Sequence, residues 1–302
     1  MTSEQNSQPA TGSDSPGLSR EALAQLAASL EQNIQRRLSL DLWFKETSPI
    51  IRTDQDAPKH SKEMFQLIKQ ISSLHPAISV TPYDMNKFEK KANEYSISLA
   101  PTLIARSGGK SIRFTGIPAG TLFPAFIDAL TYLTFFELPL DDEVRHLVEQ
   151  LEEISDNKDP VSVELYVTPY DTQSAQQYGL FGIAGAATKS ISVTITEIAE
   201  YPIAAQNKLI DEVPLVTING KRFVGMWTLE DLLQQILHIA QNEDVTVVRE
   251  QLISGPYISE DEALRLASDA NANQNTQESG FEETSSKPST VSYTHLTLPT
   301  KA

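Results

Sequence analysis

The chain contains no cysteine. That removes disulfides, thiolate metal ligands and thiol catalysis together. Positive charge is scarce: 24 Lys and Arg stand against 40 Asp and Glu, for a formal net charge of −16. An electrostatic grip on DNA or RNA needs a basic surface that displaces counterions, so nucleic acid is not an expected partner. No apolar run approaches the roughly 18 residues of a membrane span. No charged start followed by an apolar stretch marks a secretory signal. The expectation is therefore no membrane and, by default, a cytoplasmic location. The five histidines are scattered and lack metal-ligand spacing, so no metal is expected. What is present is ordinary: 40 % apolar residues over 302 positions suffice for two globular cores.

The most informative stretch is Val163–Ser174. Val163, Leu165 and Val167 alternate with Glu164 and Tyr166, the period of a strand with one face more buried. Thr168-Pro169-Tyr170 breaks the strand. Asp171 is then placed to cap a helix, because its carboxylate accepts from the free N–H groups of the first turn. Further on, Glu212-Val213-Pro214 leads into a strand, and Asn219-Gly220 turns that strand into a hairpin.

The rest divides by composition. Residues 1–17 are Ser, Thr, Gln, Gly and Pro and read as a disordered tail. Residues 18–136 and 137–242 read as two domains, 243–268 as a C-terminal extension and 269–302 as a second disordered tail. The last twelve residues, 291–302, resemble translated sequencing-adapter sequence and are set aside. Within the first domain the pattern predicts a helix after Ser19, strands at Leu38–Phe44 and Ala77–Val80, and helices at Lys59–Ser73 and Asp84–Tyr95 with Phe88 and Ala92 inward. A strand at Ala100–Ala105 and an apolar helix at Leu122–Phe136 follow. In the second domain Glu197–Leu209 reads as one helix and Thr228–Ala240 as another. Val245–Leu252 suits a helix or a strand, and Ser259-Glu260-Asp261-Glu262 opens a short helix. Gly179, Gly182 and Gly185 recur at steps of three in one helix. Each costs about 1 kcal/mol relative to alanine there, which points to a face where another backbone comes close. They lie too deep in the helix for a phosphate-binding loop, and no cofactor is expected.

The two domains repeat with an offset near 113: Ile78-Ser79-Val80-Thr81 matches Ile191-Ser192-Val193-Thr194, Ile97 matches Ile210 and Pro101 matches Pro214. A repeat of this length means a duplicated domain rather than a solenoid. The same offset sets Ser61 opposite Ser174 and Pro58 opposite Asp171. Each half thus presents a four-residue slot at a helix start, Pro58–Ser61 and Asp171–Ser174.

On these residues the chain resembles the tandem glutaredoxin- and thioredoxin-fold protein disulfide oxidoreductases of prokaryotes. Those are related in fold to the N-terminal domain of the alkyl hydroperoxide reductase flavoprotein. The likeness covers about residues 19–240. It is carried by Phe114-Thr115-Gly116-Ile117-Pro118-Ala119-Gly120 with Phe123 and Phe126, and by Tyr166-Val167-Thr168-Pro169. Glu197-Ile198-Ala199-Glu200-Tyr201-Pro202 and Val213-Pro214 through Asn219-Gly220-Lys221 complete it. The resemblance implies an α/β fold: two tandem thioredoxin-like folds, each a three-layer αβα arrangement on a mixed central sheet, with a partly helical C-terminal extension. It also implies cis peptide bonds before Pro101 and Pro214. The implied activity is thiol–disulfide exchange at Cys-x-x-Cys, where the helix N-terminus lowers the thiol pKa. Those positions here are Pro58 and Ser61, and Asp171 and Ser174. Serine forms no disulfide and is a poor nucleophile without a base.

Other chemistry can be drawn. His60 beside Ser61, with Asp54 and Asp56 upstream, has the residue types of a nucleophile–base–acid set, yet a solvated helix start accounts for the same residues. Asp171 is fully explained as a cap. Trp43 and Trp227 suit the cores, and Trp227 near the cis-proline strand also suits a groove for polypeptide. The expected function is a redox-inactive protein that binds a polypeptide or serves as a scaffold, with Pro101, Pro214 and Trp227 as the groove. Disulfide oxidoreductase is the alternative that the resemblance implies and the missing cysteines contradict. The sequence sets no oligomeric state.

Overall fold

The computed structural model describes residues 18–46, 55–155, 159–249 and 252–278. The N-terminal tail, Asp54 and the final segment 291–302 lie outside the described residues. The chain divides into one compact unit ending at Glu260 and a second starting at Asp261.

The first unit begins with α1 (Arg20–Asn33), whose first turn is capped by the Ser19 hydroxyl accepting from the Ala22 N–H at 3.2 Å. Then follow β1 (Leu38–Phe44), α2 (Ser61–Leu74), β2 (Ile78–Asp84), α3 (Glu89–Glu94), β3 (Thr102–Ser107), β4 (Lys110–Thr115) and α4 (Leu122–Leu133). The second half runs α5 (Asp142–Ser155), β5 (Val161–Val167), α6 (Thr172–Ala187) and β6 (Ile191–Glu197). A 3-10 turn at Ile198–Glu200 leads to α7 (Pro202–Asn207), β7 (Glu212–Val213), β8 (Leu215–Ile218), β9 (Lys221–Val224), α8 (Leu229–Ala240) and β10 (Gly255–Pro256).

Eight strands form one mixed sheet in the order β2-β1-β3-β4-β6-β5-β8-β9. Each half contributes a parallel pair, Leu38–Ile78 through Phe44–Asp84 and Val161–Ile191 through Val167–Glu197. An antiparallel hairpin flanks each pair, β3–β4 in one half and β8–β9 in the other. The two half-sheets are joined by β4 and β6, which pair in parallel from Ile112–Val193 to Thr115–Thr196. On one face these strands present Ile112, Phe114, Val193 and Ile195 to the core, while Arg113 and Thr194 on the other face are half-buried.

The joint is covered by α4 and α6, which lie against each other. A Cβ added at Gly182 would sit 2.5 Å from the Ala129 Cβ, and one at Gly185 would sit 2.7 Å from Ile112. Small residues on both helices let the backbones close in. Phe114 fills the space beneath, edge-on to Phe126 at 5.1 Å and stacked on Tyr178 at 5.8 Å.

Five local expectations change. β2 runs through to Asp84, whose carboxylate accepts from the Asn86 N–H at 3.0 Å instead of capping α3. Phe88 is 46 % exposed, edge-on to Tyr83, and Ala92 alone of that pair is buried. The helix read over Glu197–Leu209 is broken, because Glu197 caps the 3-10 turn and Pro202 restarts the chain as α7. Residues 245–249 form neither helix nor strand, because they are held to α8 by Gln235, whose side chain bonds Val245 O and the Val247 N–H at 2.9 Å each. The helix α9 (Glu260–Glu278) starts at the last residue of the first unit and runs into the segment read as a tail. No helix among the described residues is long and apolar enough to cross a membrane.

The glycine contacts yield a contrast. Gly182→Val forces α4 and α6 apart and should destabilise the chain by about 1–3 kcal/mol. Gly179→Ala meets Ala125 at an ordinary 3.8 Å and should be neutral or stabilising, by up to about 1 kcal/mol. Denaturant melts of the two variants check this, and equal effects would show that the helix contact is not tight.

Candidate functional site

The two helix starts use serine in the same way. At α6 the Asp171 carboxylate accepts from the N–H groups of Gln173 at 3.3 Å and Ser174 at 2.8 Å. The Ser174 hydroxyl donates to the same carboxylate at 2.8 Å and accepts from the Thr168 N–H at 3.2 Å. It is fully buried. At α2 the buried Ser61 hydroxyl accepts from the Lys45 N–H at 3.3 Å, so each serine ties the residue after a central strand to the helix start. Pro58 lies just outside that turn, bonded through its carbonyl to the Ser61 N–H at 3.4 Å. With its proton and a lone pair engaged and no surface exposed, Ser174 ties the strand to the helix start.

Beside each slot runs a cis-proline strand. Ala100–Pro101 and Val213–Pro214 are both cis. The Gly116 N–H donates to Pro101 O at 2.9 Å, and the Gly225 N–H donates to Pro214 O at 3.0 Å. Both glycines have φ near +90°, at +87° and +91°, which side chains resist.

Here the halves part. In the second, the C-terminal extension covers the edge: β10 pairs antiparallel with β7, Gly255 opposite Val213 and Pro256 opposite Glu212. The Tyr257 N–H donates to Asp211 O at 2.9 Å. In the first, the edge borders an open groove of about 680 Å³. One wall carries Ser98, Leu99 and Ala100, the other Ile203, Ala204 and Asn207 of α7, and Asp56 and Pro58 close one end.

No protein-family model matches the chain. Among curated proteins it is 23 % identical over 211 residues to an NADH dehydrogenase of Bacillus subtilis; that match takes in 68 % of this chain and spans 38 % of that protein's length. Among solved structures it is similar to the alkylhydroperoxide reductase AhpF of Enterococcus faecalis, with a TM-score of 0.59, 16 % identity and coverage of 72 % of this chain and 99 % of that one. A protein disulfide oxidoreductase from Aeropyrum pernix also has a TM-score of 0.59, with 20 % identity and coverage of 76 % and 96 %. The fold is thioredoxin-like in both halves.

In that thioredoxin-like frame the remaining candidates find their places. Trp227 does not line a groove. It is 3 % exposed, its ring lies under the Arg249 guanidinium at 4.0 Å, and its backbone N–H and carbonyl both bond the buried Gln177 side chain, at 2.9 and 3.0 Å. Among the described residues the triad is not assembled. Asp56 caps α7 through the Ile203 and Ala204 N–H groups at 2.9 Å each. The His60 Nε2 meets Glu260 at 2.6 Å, a partner 200 residues away that spacing cannot reveal. Among the described residues no group of three or more His, Asp or Glu side chains is arranged to hold a metal ion.

Sequence reasoning also passed over a buried carboxylate pair. Glu197 accepts from the Ala199 N–H at 2.9 Å and the Glu200 N–H at 3.2 Å. Glu200 accepts from the Ile117 N–H. Burial pushes both carboxyls up to about 8, with mutual repulsion adding for Glu200 and backbone donors opposing. The Glu-x-x-Glu spacing at a strand end was the available signal.

The sign of the pH effect follows. Between the ordinary 4.5 and about 8 the folded pair holds protons that the unfolded chain has lost. This contribution to stability therefore falls as pH rises through that window and is level above it. Glu200→Gln should flatten the fall, which urea melts from about pH 5 to about pH 9 will show. A variant with an unchanged profile would mean that the pair does not titrate there.

Proposed function

We propose that this chain is a polypeptide-binding thioredoxin-like protein without thiol chemistry, and that the groove at Ser98–Pro101 is its site. The open edge beside cis Pro101 carries the reading. Among the described residues no hydrogen bond engages the backbone of Ser98 or Ala100. The equivalent edge in the second half is already paired with a strand. An edge of this kind takes an extended chain by main-chain hydrogen bonds, with side chains read by the adjacent pocket. The volume lies within the range of about 300–1,000 Å³ common for ligand sites. Lys45, Asp56, Glu89, Asn93 and Lys208 make the walls polar, which suits a hydrated peptide more than an apolar small molecule. The second half, with its edge closed, then serves as scaffold.

The alternative is the thiol–disulfide exchange named for the Aeropyrum neighbour. At both slots the sulfur is missing and the Ser174 hydroxyl is engaged. Two assays separate the readings. Insulin reduction by dithiothreitol should proceed no faster with the protein than without it. A fluorescent, reduced and carboxymethylated α-lactalbumin should bind, and Ser98→Trp, which fills the groove from an exposed position, should weaken binding by about tenfold or more, roughly 1.4 kcal/mol. Turnover above blank would restore the oxidoreductase, and undiminished binding by Ser98→Trp would move the site elsewhere.

A further inference from the structure

We propose that the Asp211–Val213 edge of the second half is a latent peptide site, and that Ser254–Glu260 is its resident competitor. The ligand that displaces it is an extended segment with a small residue at the strand centre, an aromatic residue two positions on and an acidic residue three beyond that.

The resident strand defines this pattern by its own seating. Gly255 sits opposite Val213, and a Cβ there would meet the Asp171 carboxylate at 3.9 Å and Val213 O at 4.0 Å, so a small residue fits with its Cβ in ordinary contact. Pro256 faces Glu212, and a proline is tolerated on such an edge where no ladder donor is needed. Tyr257 packs against the cluster of Tyr166, Tyr201 and Val213 while its N–H reaches Asp211 O. Ser254 donates to Glu212 at 2.7 Å. Glu260 then ends the segment between His60, at 2.6 Å, and Lys59, at 3.6 Å, both at the start of α2. The segment therefore runs from one slot to the other.

Its hold is of the exchangeable kind. The ladder is two residues long. Leu252 and Ile253 leave 68 % and 44 % of their surface in water, and their contact with the second half is through backbone lying against Gly225. An incoming strand can replace these hydrogen bonds one for one, so displacement costs little beyond the ordering of the new segment. The Gln177–Trp227 tie and the Gly225–Pro214 bond hold the second half together without it.

The proposal rests on reading the cis-proline edges as peptide sites, so its test is run with the first groove blocked. The probe is a fluorescent peptide of residues 252–260, and the host is the full chain carrying Ser98→Trp. Adding Gly255→Pro and Tyr257→Pro removes the donors that face β7. The peptide should bind the triple variant at least tenfold more tightly than Ser98→Trp alone, and a Tyr257→Ala peptide should lose that gain. Equal binding by both hosts, or none by either, overturns the proposal while leaving the first groove untouched. If the triple variant does not fold, amide exchange of the parent decides. Tyr257 and Val213 should exchange through local opening well ahead of Val216 on β8. Protection equal to that of Val216 overturns the proposal. So does a parent dimer in which this strand is exchanged between two copies.

Discussion

The parallel pairing of β4 with β6 is the constraint on which the rest depends. It turns two half-sheets into one eight-stranded sheet and buries the face of the central strands that carries Ile112, Phe114, Val193 and Ile195. A parallel joint cannot be a hairpin, and α4, α5, β5 and α6 intervene in the chain between the paired strands. The joint also requires α4 and α6 to meet over it. That is why α6 carries glycine where α4 presents Ala125 and Ala129. The helical cost of those glycines is offset by the close backbone contact.

The same joint sets the surroundings of the two grooves. The end of β6 leads into the Glu197–Glu200 pair and then α7, which forms the far wall of the first groove. The Tyr201 hydroxyl reaches back to Pro101 O at 3.5 Å. The open groove is thus built from both halves, and the pair buried beside it exists only because they are fused. The Glu260 charge reaches the same place from the C-terminal extension, and its repulsion helps to raise both carboxyl pKa values.

Both slots are hydrogen-bonded ties. A helix N-terminus leaves N–H groups without partners, and something must satisfy them. At α6 the Asp171 carboxylate does so, and it also takes the Ser174 proton. The serines of both slots bond the first residue after a central strand. The geometry at each slot locks a strand to a helix.

By itself the sequence determined the pieces with local causes. Alternating Val163, Leu165 and Val167 made a strand because a half-buried pleat has period two. Asp171 capped α6 because the free N–H groups lie within reach of its own side chain. The offset that matches Pro101 with Pro214 was legible because it compares the chain with itself, and the absence of cysteine needed no structure at all. Where local causes competed, reading failed: Phe88 stayed outside because β2 took Asp84, and Pro202 split a helix that periodicity alone would continue. Only the tertiary structure decided that the half-sheets join, that Trp227 is sealed under Arg249, and that one cis-proline edge is open while the other is filled. Each of these depends on segments distant in the chain, such as Glu260 meeting His60. Main-chain pairing and burial carry no residue pattern that names a partner 200 positions away.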